Sequence, residues 1–147
     1  MGRFEKSIVI KAPPEKVWEM LAFDKGPEWM GDLMMSAEYT SEVQTLEDKF
    51  KVGATAHTRT HSGIESDVEI TKSLENEKMT SRTTSRTMTA IGTYTLKPTK
   101  AGTLVSYVMD YEFHTILWKV FEKLVAGRMI AKDSGKSLEK LKSLLEQ

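Results

Sequence analysis

The sequence contains no cysteine. Disulfides, thiolate metal sites and thiol nucleophiles are therefore excluded, and any cysteine-based clue to compartment is lost with them. Charge of one sign is also missing: 21 Lys plus Arg stand against 21 Asp plus Glu, a formal net charge of zero. Nucleic-acid binders usually carry a basic excess or stripe, so no nucleic-acid partner is expected. No apolar run approaches the roughly 20 residues needed to span a bilayer. The opening stretch, MGRFEKSIVIKAPPEK, is charged throughout and has no secretory h-region. A cytoplasmic, non-membrane-spanning domain is the expectation. Glycines are scattered singly, so no phosphate-cradling loop is present, and no Gly-x-Ser-x-Gly elbow occurs. The 147 residues fit a single domain, 1–147, long enough to bury a core.

What is present is a change of texture along the chain. Residues 4–11 alternate, with Phe4, Ile8 and Ile10 on one face and Lys6 breaking the pattern, which reads as a strand. Ala12-Pro13-Pro14 stops it, and proline is tolerated in the first turn of the helix expected over 14–22, which sets Val17, Trp18 and Leu21 at helical spacing. A second short helix or turn is expected from Asp24 to Gly31. From Ser36 to Phe113, Thr, Ser, Val, Ile and Tyr alternate between turn signals, giving about six strands of an antiparallel meander. Residues 115–147 read as one helix of roughly 50 Å. Its stripe is Leu117, Val120, Leu124, Gly127, Ala131, Ser134, Leu138, Leu141 and Leu145. A long amphipathic helix must bury its stripe, and the sheet is the only large partner available.

The segment IVIKAPPEKVWEML…PEW, carrying Ile8, Ile10, Ala12, Pro13, Val17, Trp18 and Trp29, resembles the opening signature of the START/Bet v 1-like superfamily, also called SRPBCC. This is the polyketide cyclase/dehydrase and lipid-transport family. The hairpin GTYTLKPTKAGTLVSYVMDY, with Gly102-Thr103 before its final strand, resembles the family's next-to-last hairpin, and SLEKLKSLLE resembles the end of its C-terminal helix. The resemblance covers essentially the whole chain. It implies an α+β helix-grip fold, with a curved antiparallel sheet of about seven strands wrapped around the long helix and a cavity between them. It implies no single reaction, since the family includes carriers, receptors, cyclases, dehydratases and co-chaperone-like proteins.

Strand register decides which side chains face that cavity, because a one-residue slip inverts the faces. A hairpin at Thr99–Gly102 pairs Leu96 with Val105, Tyr94 with Tyr107, Gly92 with Met109 and Ala90 with Tyr111, all inward. A two-residue turn at Thr87-Met88 adds Ser85, Thr83, Ser81 and Met79, and a turn at Asn76-Glu77 adds Ile70, Val68, Ser66 and Ile64. Glu65, Asp67 and Glu69 then lie outside near Arg82 and Arg86, a favourable arrangement on a wet face. The Ser62-Gly63 hairpin leaves two registers open. A two-residue loop turns His57, Arg59 and His61 inward, implying an anionic ligand. A three-residue loop, His61-Ser62-Gly63, turns them outward, and both glycine at the third position and the cost of burying charge favour it.

The expected inner face is small and hydroxylated at Ser66, Ser81, Thr83, Ser85 and Gly92, opposite the small helix residues Gly127, Ala131 and Ser134. Small residues facing small residues across a curved sheet favour a void. The candidate ligand-binding set adds Val68, Tyr94, Tyr107, Met109 and Tyr111 from the sheet. Phe121, Leu124 and Arg128 join it from the helix, and Trp29, Met34 and Met35 from an adaptable apolar segment near the expected mouth. His57 and His61 would lie roughly 13 Å apart on a strand, too far to share an ion. No metal or cofactor is implied, and no catalytic motif is legible. The expected partner is a hydrophobic or amphipathic small molecule, such as a lipid, isoprenoid or aromatic compound. The alternatives are a cyclase, aromatase or dehydratase, which needs an interior acid or base, and a protein-interaction module resembling the Hsp90-activator relatives.

Overall fold

Alternation in the first segment forms β1 (Gly2–Ile10), which ends where Ile10 is fully buried and the prolines begin. A computed structural model of the chain describes residues 2–121 and 127–147. With Pro14 in its first turn, α1 (Pro14–Met20) follows, then α2 (Gly26–Trp29), with single 3-10 turns at Phe23–Lys25 and Gly31–Leu33. The meander consists of β2 (Ser36–Tyr39), β3 (Thr55–Arg59), β4 (Glu65–Leu74), β5 (Lys78–Ser85), β6 (Met88–Thr99) and β7 (Gly102–Phe113). The C-terminal part carries α3 (Ile116–Phe121) and α4 (Gly127–Leu145). The expectation of one helix through 122–126 falls outside the described residues.

All seven strands form one antiparallel sheet in the order β1-β7-β6-β5-β4-β3-β2. With the long C-terminal helix, this is the helix-grip α+β architecture. The core lies between the inner sheet face, α1, α2 and the C-terminal half of α4, where Val17, Val105, Leu138 and Leu141 are all at most 1% exposed. Lys6, the misfit of the β1 pattern, sits on the inner side, and its ammonium reaches out to the Glu139 carboxylate of α4, 3.4 Å away. The same helix closes the free edge of β1: Lys142 Nζ donates to the Val9 carbonyl, and the Lys11 amide donates to Glu146.

The residues that carry the family resemblance have structural reasons. The Thr103 hydroxyl donates to the Ala12 carbonyl at 2.7 Å and is fully buried. It ties the start of β7 to the exit of β1. Gly102 has φ +139°, and a Cβ there would strike the Ile10 carbonyl, so backbone approach and backbone angle both demand glycine. Trp18 stacks on Phe50 at 4.9 Å between ring centroids.

The registers show how the faces are kept. β6 and β7 pair as expected, Tyr94 opposite Tyr107 and Gly92 opposite Met109. Between β5 and β6 the expected two-residue turn is replaced by a longer connection, with Thr84 opposite Thr89 as the last pair. The strands have slid by two residues, and an even slide leaves every side chain on its original face. Between β4 and β5 the turn holds three residues, 75–77, with Asn76 at φ 61°, which would turn one strand over. An irregularity between Ile70 and Lys72 restores the phase, so Ile70 meets Ser81 and Val68 meets Thr83 on the inner face. The β3–β4 hairpin takes the three-residue loop, with Gly63 at φ 88° and Arg59 opposite Glu65. Of the two open registers, this is the outward one.

Candidate ligand cavity

The inner faces of β4–β7, the α1–α2 region and α4 enclose a space of about 210 Å³. The sheet contributes Val68, Met79, Ser81, Thr83, Met88, Ala90, Tyr94, Tyr107 and Met109, and the end of β3 adds Thr58 and Thr60. The segment after α1 contributes Leu21, Ala22, Phe23, Met30, Leu33 and Met34, and α4 contributes Ile130, Ser134, Ser137 and Leu138. Five of these are methionines, whose unbranched thioethers adapt to irregular shapes. The polar groups are all hydroxyls: no Asp, Glu, His, Lys or Arg is among the described lining residues.

The two tyrosines dominate one wall. Their rings stack at 4.3 Å between centroids and 24° between planes, and the Trp29 ring meets Tyr94 edge-on at 6.1 Å. Burial pushes the Tyr107 hydroxyl up to about 12 and the Tyr94 hydroxyl well above its ordinary value. Both phenols therefore stay protonated across physiological pH. Gly92 makes this wall possible, since a Cβ there would lie 2.9 Å from the Tyr107 hydroxyl oxygen.

Of the residues expected at the site, Val68, Thr83, Tyr94, Tyr107, Met109 and Met34 line this space together, and Gly92 and Trp29 back its tyrosine wall. Others lie elsewhere. The Ser85 hydroxyl is occupied in the β5–β6 connection, bonded to the backbone of Thr87 and Met88. Tyr111 is buried with Ala90 and Phe113 in a neighbouring cluster, against which Met88, Met109 and Ile130 pack. Met35 is 51% exposed, while its neighbour Met34 turns in over Gly26. Arg128 and Ala131 are exposed, because the inner face of α4 runs through Ile130, Ser134 and Leu138. At 3.6 residues per turn, Ile130 and Ser137 lie about 40° and 60° to one side of Ser134 and Leu138 about 40° to the other, so Ala131, about 60° to that other side, falls just beyond the face. The bulk of Ile130, on the same side of Ser134 as Ser137, is the signal that would have found it. Leu124 lies outside the described residues, as do the side chain of Phe121 and the surroundings of Gly127.

The outward register has an electrostatic consequence. His57 sits on the wet face of the sheet, 3.1 Å from both Asp67 and Glu65, and Arg59 bonds Glu65 at 3.2 Å. Hydrogen bonds donated to Asp67 and then Glu65 hold the imidazole above its ordinary value, and His57 and Arg59 hold Glu65 below the usual carboxylate range. These charges satisfy one another outside and leave the inner face to Thr58 and Thr60.

Comparison with known proteins agrees with this architecture. Residues 1–146 match the family described as polyketide cyclase / dehydrase and lipid transport. A Thermus thermophilus protein of known structure superposes with a TM-score of 0.77 at 14% identity, covering 98% of this chain and 97% of its own. A Mesorhizobium loti protein gives 0.75 at 20% identity, with coverage of 98% and 96%. A Bacillus halodurans protein solved in solution gives 0.74 at 20% identity, with coverage of 99% and 98%. Among curated proteins there is no match. No described helix is long and apolar enough to cross a membrane. The structural likenesses carry the fold, and the match along the sequence carries the family: the chain belongs to the polyketide cyclase/dehydrase and lipid transport family.

Proposed function

We propose that this protein binds a hydrophobic or amphipathic small molecule in the space between the sheet and α4, as a carrier or sequestering protein. The observation that carries this reading is the lining itself, apolar and methionine-rich, with hydroxyls as the only polar side-chain groups among its described residues. Apolar area supplies affinity in such a site, and a few placed hydroxyls supply orientation. A cyclase or dehydratase would need a base at the reacting carbon. The two tyrosines are the lining's ionisable groups among the described residues, and burial keeps both in their protonated form.

Native mass spectrometry of the purified protein, before and after incubation with 1-naphthol, tests the reading. A one-to-one adduct is expected, and it should be lost in Gly92→Leu, whose side chain must displace the Tyr107 ring, while circular dichroism reports an intact fold. Absence of any adduct in the wild type, or an undiminished adduct in Gly92→Leu, would count against it.

A further inference from the structure

The β3–β4 turn decides more than a register. One residue fewer in that loop would have brought His57 and Arg59 to the inner face, where a cation could meet an anionic ligand. Instead they are engaged with Glu65 and Asp67 on the outside. Lys6 is the described inner-face cation of β1, and it is drawn away to Glu139. No described lining residue is left to neutralise a carboxylate, sulfate or phosphate. A charge taken from water into such a lining without a partner is strongly disfavoured.

Size narrows the class further. A cavity of about 150 Å³ takes benzene. The 210 Å³ found here suits a molecule of one or two rings, or its aliphatic equivalent.

Polarity narrows it once more. Tyr94 and Tyr107 are stacked on one another, and both line the cavity. The Tyr107 hydroxyl packs over Gly92, its oxygen 2.9 Å from where a Cβ would stand, which fixes its place on the wall. The Tyr107 hydroxyl is thus a potential donor fixed in place on an apolar cavity wall. From these features we infer that the ligand is a compact, uncharged molecule of one or two rings carrying a carbonyl or ether oxygen, which accepts a hydrogen bond from Tyr107. The inference rests on the small-molecule reading above and adds its charge, size and anchoring atom.

Three probes of nearly equal shape test it by calorimetry: 1-tetralone, tetralin and 1-naphthoate. 1-Tetralone is expected to bind most tightly. Tetralin, lacking the oxygen, should bind roughly three- to tenfold more weakly. 1-Naphthoate should bind about 100-fold or more weakly. Tyr107→Phe should bring 1-tetralone down to the level of tetralin and leave tetralin unchanged, while Tyr94→Phe should spare most of the difference. 1-Naphthoate binding as tightly as 1-tetralone overturns the uncharged class. Equal binding of tetralin and 1-tetralone, or a difference that survives Tyr107→Phe, overturns the anchoring contact. If none of the three binds while the protein carries or accepts a small-molecule adduct in native mass spectrometry, the compact class fails and the cavity reading stands. If no adduct forms either, both fail.

Discussion

Gly92 and Tyr107 are matched: the hydroxyl oxygen of Tyr107 lies where only a glycine leaves room for it, 2.9 Å from the position a Cβ would take. The cross-strand neighbour of Gly92 is Met109, so Tyr107 reaches it diagonally while stacked on its own partner Tyr94. One missing methyl group thus sets the position of the donor that faces the cavity.

Gly92→Ala tests this match. The new methyl also meets Tyr107 Cε1 at 3.1 Å, so the tip of the ring must move. Affinity for 1-tetralone should fall about tenfold, a loss near 1.4 kcal/mol, while the melting temperature stays within about 4 °C of the wild type. Unchanged affinity would mean that the hydroxyl position does not matter to binding.

Gly63→Ala should behave in the opposite way. Nothing lies within 4 Å of a Cβ at Gly63, but its φ is 88°. The cost is therefore conformational, about 1–2 kcal/mol in a urea unfolding experiment. Ligand affinity should not change, because the three-residue loop and its outward register remain.

Thr103→Val keeps the shape of a fully buried residue and removes the hydroxyl that donates to the Ala12 carbonyl. The carbonyl is then left without this partner, and stability should fall by about 1–3 kcal/mol. Denaturant unfolding monitored by tryptophan fluorescence gives the value. No loss would show that the β1 exit is not held by this bond.

The His57 cluster gives the protein a pH signature outside the cavity. Bonds to Asp67 and then Glu65 raise the imidazole, so its folded value lies above the unfolded 6.5. Its contribution to stability is complete below that unfolded value and is lost as pH rises through the folded one. Glu65 is held below its ordinary 4.5, first by His57 and then by Arg59. Its contribution is complete above 4.5 and is lost as pH falls through the lowered value. The pair contributes most between about 4.5 and 6.5. Imidazole NMR titration should place the His57 midpoint above 6.5, and Asp67→Asn should lower it. A midpoint at or below 6.5 would contradict the cluster.

The sheet was legible in the sequence because alternation has only two outcomes. Inward residues such as Tyr94, Tyr107, Thr83 and Val68 keep their face even where the β5–β6 connection slides by two, and the irregularity at Thr71 cancels the odd turn beside Asn76. The walls contributed by helices and coil were less legible. The angular phase of α4 is set by packing that no single residue declares, so Ile130 takes the place expected of Ala131. Whether Met34 or Met35 turns inward depends on the 3-10 turn at Gly31–Leu33, whose sequence carries no period to follow. Leu21, Ala22 and Phe23 reach the cavity only because the chain folds back after α1.

The methionines offer the most direct measurement of where a ligand sits. Nine are present, and Met30, Met34, Met79, Met88 and Met109 line the cavity. Met35 and Met129 stand outside, each more than half exposed. With 13C-labelled methionine methyl groups, saturation with 1-naphthol should move the five cavity signals and leave those of Met35 and Met129 in place. Shifts confined to Met35 and Met129, with the five lining methyls unmoved, would contradict a ligand held between the sheet and α4.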